Sequence, residues 1–163
     1  MIKVVCPGCG LELDSEDQAL DDRYNASSAC RRLFDELSAF TQNSGDKDFI
    51  HQIAIDAYTA QHLGPKIKPI GGTFALIGLY LAFERGYTGR QVQLAHMALG
   101  KTRRDWPRFV MPVTRAGMTI HEVVNGLNGE NFRERINSWA KAVWETWGDE
   151  HQRVTVLVDT YLR

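Results

Sequence analysis

The spacing of apolar residues changes character along the chain. Residues 1–10, MIKVVCPGCG, read as a short apolar strand or extended piece running into two cysteines. Residues 11–24 are acidic and have no period, which predicts a connecting loop on the surface. From about residue 27 the rhythm is helical. Cys30, Leu33, Phe34, Leu37 and Phe40 recur at i, i+3 and i+4 along one buried face. Asn25, Ser27 or Ser28 can cap this helix, and Asn43-Ser44-Gly45-Asp46 combines a stop, a turn and a new cap. A second helix is predicted from about 47 to 63, with Ile50, Ile53, Ala54, Ala57 and Ala60 as its stripe and Gly64-Pro65 as its end. The stretch KIKPIGG reads as a loop, and a third helix as starting near Thr73.

That third helix, FALIGLYLAFER, is apolar nearly all round, which predicts the most buried position. Thr88 and Gln91 form a capping box that opens a fourth helix over about 89–99, with Tyr87 and Val92 placed as a hydrophobic staple. An irregular crossing with two prolines follows, KTRRDWPRFVMPVTRAG. Thr119 and Glu122 make a second capping box, for a short helix ending at Asn128-Gly129. Phe132, Ile136, Trp139, Ala140, Val143 and Trp147 mark a long amphipathic helix. Segment 153–162 fits a helix through Val154, Leu157, Val158 and Tyr161, and a strand through Val154, Val156 and Val158. Helix is preferred, because Asp149 and Gln152 can cap it and no other strong strand exists to pair with. The expected fold is all-α: a single-domain helical bundle over 26–163, with a zinc knuckle and connecting loop over 1–25.

Bulk properties narrow the functional classes. The 163 residues suit one domain with one core. A net charge of −1 supplies no general attraction to nucleic acid or anionic membrane. No apolar run approaches the roughly 20 residues of a membrane helix, and the N-terminus does not read as a signal peptide. The expectation is a cytoplasmic protein with no membrane partner. Three cysteines, an odd number, argue against a disulfide framework and for metal ligation or redox chemistry.

Cys6-Pro-Gly-Cys9-Gly10 is the most specific motif. Two thiolates two residues apart hold one ion in a tight turn, and glycine lets the backbone fold around it. A thioredoxin-like redox pair would sit at a helix N-terminus in a βαβ setting, whereas here Gly10 and an acidic loop follow. Structural zinc takes four ligands. Cys30 is the candidate third, near a helix N-terminus where the dipole favours thiolate, although a small core cysteine would look the same. Helices 27–43 and 47–63 are joined by a short turn and should pack antiparallel. Folding the chain about residues 45–46 sets Cys30 opposite Gln61 and His62. His51 falls opposite Phe40, about 16 Å further along. His62 is therefore the candidate fourth ligand, with His51, Asp14, Asp56 or a water as alternatives.

CPGCG, YNASSAC, FIHQIAIDAYTAQH, FALIGLYLAFERGYTGRQVQLAHMAL, WPRF and the Trp-rich helix together resemble a family of small bacterial proteins catalogued as a domain of unknown function. The resemblance spans most of the chain, with FIHQIAIDAYTAQH its most specific block. It implies that the Cys and His positions belong to a family pattern, and it brings no activity or substrate.

Three functions remain open at this level. The first is a non-catalytic, zinc-stabilised module that binds an unidentified protein or small molecule, with aromatics near WPRFVMP either exposed as a contact surface or filling the core. The second is an enzyme using a cleft with His51, Asp56, Glu84 and His96 for acid–base or metal-assisted chemistry. Against it stands the alternative that His51 and His96 are hydrogen-bonded histidines at a helix–helix contact. The third is a DNA-binding helix-turn-helix at about 74–99, with Ala82, Gly86 and Val92 at the expected spacing. It would have Arg90, Gln91 and Gln93 near the start of the second helix and KTRRDWPR as a basic run. The neutral chain lacks the broad basic footprint such a protein needs.

Overall fold

In the computed structural model, residues 2–15, 23–102, 105–129 and 131–162 are described. Seven α-helices and one two-stranded hairpin occur among them. Strands β1 (Lys3–Val5) and β2 (Glu12–Asp14) pair antiparallel, Val4 opposite Leu13, with Lys3 and Asp14 joined by a 3.0 Å ion pair at the open end. The acidic stretch is thus not wholly irregular: its first residues form the return strand of the CPGCG turn. Residues 16–22 of it lie outside the described residues.

Helix α1 (Ser28–Asn43) begins where Ser27 Oγ accepts from Cys30 N at 3.2 Å. Helix α2 (Ile50–Gln61) starts about three residues after the expected position 47, at the first residue of its apolar stripe. Asp46 does cap the chain there, accepting from Asp48 N (3.2 Å) and Ile50 N (2.8 Å), but across a turn in which Phe49 is left-handed at φ 53°. Helix α3 runs over Pro69–Glu84, so most of KIKPIGG is helix rather than loop. Proline pre-sets the first helical position, where no N–H is needed. The glycines serve packing: a Cβ on Gly72 would stand 2.8 Å from Leu63 Cδ1.

Gly86, at φ 69°, ends the chain's passage out of α3, and helix α4 (Gly89–Leu99) opens on the complete Thr88–Gln91 capping box. The crossing 101–118 carries no helix or strand among its described residues, and Arg103 and Arg104 of its basic run lie outside them. Its aromatics fill the core instead of forming a contact surface. Trp106 and Phe109 are buried, leaving Val110 and Val113 outside. Helix α5 (Ile120–Val124) has the expected Thr119–Glu122 box. Helix α6 (Phe132–Thr146) leads through a 3-10 turn at Gly148–Glu150 into α7 (His151–Tyr161), so the ambiguous C-terminal segment is helical. Asp149 does not cap it; the 3-10 turn feeds α7 directly, with no side-chain cap.

Helix α3 shares the centre with α2. Helix α2 packs against α1, α3, α4 and α6, and α3 against α2, α4, α6 and α7. Ala54, Ala57 and Ala60 keep α2 slim enough for these neighbours. At its C-terminal end Gln61 is a buried clamp. Its Nε2 donates to Met118 O at 2.8 Å, and its Oε1 accepts from the Trp139 indole at 2.9 Å. One amide thereby fixes both the crossing segment and α6 against the end of α2, next to His62.

Candidate metal centre

The hairpin turn brings Cys6 and Cys9 onto the end of the α1–α2 pair. Within the turn, Gly10 N donates to Cys6 O (2.9 Å) and Cys6 N to Leu11 O (2.8 Å), with Gly10 at φ 82°. The turn then docks closely. A Cβ on Gly8 would lie 2.5 Å from Asn25 O and 2.7 Å from His62 Cδ2, so glycine is required by contact as well as by folding. Asn25 N donates to His62 O at 2.9 Å and anchors the chain just before α1. Arg115 of the crossing donates to Pro7 O at 3.4 Å.

Cys6, Cys9, Cys30 and His62 each offer one ligand atom, and these atoms lie within 4.8 Å of one another, in a buried cluster. The antiparallel pairing puts Cys30 Sγ 3.3 Å from His62 Nε2. Cys9 and Cys30 sulfurs are 3.9 Å apart, far from the roughly 2.05 Å of a disulfide. Tyr58 completes the wall. Its hydroxyl is 3.4 Å from Cys30 Sγ, and its ring stacks between Phe34 (4.1 Å) and His62 (3.9 Å). His62 Nδ1 lies 2.9 Å from Tyr58 O. A carbonyl only accepts, so Nδ1 carries the proton and Nε2 presents its lone pair to the sulfurs.

The thiols share protons unequally. Contacts from Cys30 and Cys9 hold Cys6 far below the ordinary thiol range. The same contacts, from Cys6 and Cys9, together with burial, push Cys30 far above it. The Cys30 contact pulls Cys9 down, but the Cys6 contact and burial outweigh it and leave Cys9 at about 12. Burial and the neighbouring Cys30 push the Tyr58 phenol up. Three sulfurs and an imidazole nitrogen thus converge in a pocket that a cation can occupy.

The other candidate ligands are elsewhere. Asp14 pairs with Lys3 on the hairpin. His51 meets Thr41 Oγ1 at 2.7 Å and Gln42 Nε2 at 3.2 Å, near the opposite end of α1. The four-residue cleft also does not form. Glu84 accepts from the Trp144 indole at 2.9 Å, and only Asp56 and His96 come together. Their 3.9 Å separation is not an ion pair. His96 Nε2 donates to Phe74 O at 2.8 Å, burial pushes the imidazole down to about 4, and burial pushes the Asp56 carboxyl well up. Burial thus favours the neutral form of both groups. Asp56 Oδ1 accepts from Gln52, while Oδ2 has no partner.

Asp56 consequently makes stability fall with rising pH. A carboxyl with a raised folded-state pKa contributes fully below the ordinary carboxyl range, and that contribution is lost as pH rises through its folded value. Asp56→Asn does not titrate. It is expected to be more stable than wild type at pH 8, by about 2 kcal/mol, with a smaller advantage at pH 5. Urea melts of both proteins at the two pH values check the sign.

Residues 4–148 match the model of a Family of unknown function (DUF5946). The chain belongs to this family. No curated protein and no solved structure matches it. The DUF5946 match contains all four residues of the cluster as well as Tyr58, Gln61, Asp56 and His96. In this DUF5946 chain, sequence spacing alone points to the four clustered residues, and Tyr58 is placed on the His62 stripe. It does not reveal that Tyr58 orients His62, Gln61 clamps α2, or Asn25 ties the turn down. Tyr58 and His62 are four residues apart on a helix, which is the one available signal. No helix among the described residues is long and apolar enough to cross a membrane.

Proposed function

We propose that Cys6, Cys9, Cys30 and His62 bind one zinc ion and that the ion is structural. The observation that carries this reading is the His62 ring. His62 Nδ1–H donates to Tyr58 O, so Nε2 faces the sulfurs in the tautomer a metal requires, the second-sphere arrangement typical of metal-bound histidine. Zinc at its usual bond length of roughly 2.3 Å to sulfur sets tetrahedral ligands about 3.8 Å apart. The 3.9 Å between Cys9 and Cys30 agrees with that spacing. Soft thiolates with one imidazole suit zinc over hard cations. Four buried protein donors leave no coordination position for a substrate, as in closed structural sites.

The ion would tie the hairpin turn to α1 and the end of α2, which already pack on each other through the Phe34–Tyr58 stack. On this reading the protein is one zinc-stabilised helical unit that acts by binding a partner or ligand rather than by turnover at the metal. It works in a reducing compartment such as the cytoplasm, where its thiols persist. Metal content of the untagged protein, measured by mass spectrometry, tests it. One zinc per chain is expected in wild type, with loss or at least tenfold weakening in His62→Ala. Zinc retained unchanged by His62→Ala would replace the closed site with one completed by another group.

A further inference from the structure

A second site lies away from the cysteines. A cavity of about 470 Å³ opens beside the N-terminal end of α3, between α2 and α4. Its walls are apolar: Ile55, Ile67, Ile70 and Phe74. The size is that of a small-molecule site. Arg23, Lys66 and Lys68 stand among its lining residues, and Lys66 and Lys68 are exposed to solvent. Asp56 is the only acid among the described lining residues. The start of α3 adds the positive end of a 16-residue helix, with Ile70 and Gly71 of its first turn in the lining.

Asp56, Thr59 and His96 add polar groups to the lining. Asp56 is 3% exposed, and its Oδ2 has no hydrogen-bond partner. Oδ2 is pressed toward α3, where a Cβ on Gly78 would stand only 1.9 Å from it. A glycine is thus required to house a carboxyl that an apolar side chain could replace at a gain in stability. A buried acid left without a partner at the wall of a cavity is a candidate functional group. His96 is braced for the same surface, its two ring nitrogens held by Phe74 O and by Gln52 at 3.4 Å, and its ring stacked on Phe74 at 5.1 Å.

We propose that this cavity binds a small organic anion: a carboxylate or phosphate carried on an apolar body about the size of one aromatic ring. The anionic group sits at the mouth with Lys66, Lys68 and Arg23. The body lies against Ile55, Ile67 and Phe74, toward Thr59 and Asp56. The metal cluster takes no part, so this site stands or falls separately from the zinc reading.

Phenyl phosphate, benzoate, benzyl alcohol and inorganic phosphate are the probes, titrated into the full chain as purified and followed by NMR shifts of Ile55, Ile67 and Phe74. A Lys66→Glu/Lys68→Glu variant changes two exposed side chains and keeps the fold, as its unchanged spectrum elsewhere should confirm. At least one organic anion is expected to move these resonances, with roughly tenfold weaker binding in the double variant and at higher salt. Preference between phenyl phosphate and benzoate identifies the anionic group. Benzyl alcohol and inorganic phosphate, each lacking one half of the ligand, should bind at least tenfold more weakly than the better anion. The proposal is overturned if neither organic anion shifts the cavity residues, if the double variant binds as well as wild type, or if either half-ligand binds equally well.

Discussion

Cys30→Ser is expected to lower the melting temperature by about 10 °C and to abolish tight zinc binding. Cys30 is the one candidate ligand on α1, and its sulfur touches Cys9, His62 and Tyr58. Serine is nearly isosteric, so the change tests ligation rather than packing. Binding energy of a structural zinc adds directly to folding energy. Losing a buried ligand should therefore cost about 4 kcal/mol, which is roughly 10 °C for a chain of this size. Calorimetry with and without a chelator separates the causes. Chelation should lower the wild-type transition to near that of the variant and leave the variant where it is. Equal melting of wild type and variant, both indifferent to chelator, would mean that the cluster is only a packed group of thiols.

Gly89→Ala should destabilise the protein by about 3 kcal/mol, in defiance of helix propensity. Gly89 is the first residue of α4, and alanine in a helix is normally worth up to about 1 kcal/mol over glycine. Here a Cβ would lie 1.9 Å from Phe49 O, 2.7 Å from Phe49 C and 2.9 Å from Asp48 O. These are backbone atoms and cannot rotate away. Arg90 N donates to Asp48 O at 2.8 Å, and the Arg90 guanidinium covers the Phe49 ring at 4.4 Å, so α2 and α4 meet main chain to main chain. Forcing them apart disrupts this junction and the left-handed Phe49 turn that enters α2. Gly148→Ala is the control. Nothing lies within 4 Å of its added Cβ, and its effect should stay within about 0.5 kcal/mol. Urea melts that rank the two alike would show that the α2–α4 contact yields easily.

The candidate metal cluster was readable because it rests on local rules. CPGCG is a contiguous turn, Cys30 sits on the helical face set by Leu33, Phe34 and Leu37, and a short connection forces α1 and α2 antiparallel. Register along that pair then selects His62 over His51, and the structure has Cys30 beside His62 and His51 beside Thr41. The supposed cleft of His51, Asp56, Glu84 and His96 failed for the converse reason. Its members come from three helices, and no local rule relates their faces. Glu84 is engaged by Trp144, which lies 60 residues away.

Sequence by itself determined the order of the helices, both capping boxes and the identity of the clustered residues. Most of this follows from interactions spanning at most a few turns or one short connection; the link from the CPGCG turn to Cys30 rests instead on the four ligands that structural zinc takes. Only the tertiary structure decided the roles of Gly8, Gly78 and Gly89, because a glycine demanded by close contact looks in sequence like one demanded by a turn. The same holds for Pro69-Ile70-Gly71-Gly72, whose loop-like composition is overridden by packing against Leu63. It also decided that Asp56 is buried without a partner for Oδ2 and that a cavity with cations at its edge opens beside it. A cavity is a space between elements brought together by folding, and no stretch of sequence encodes it alone.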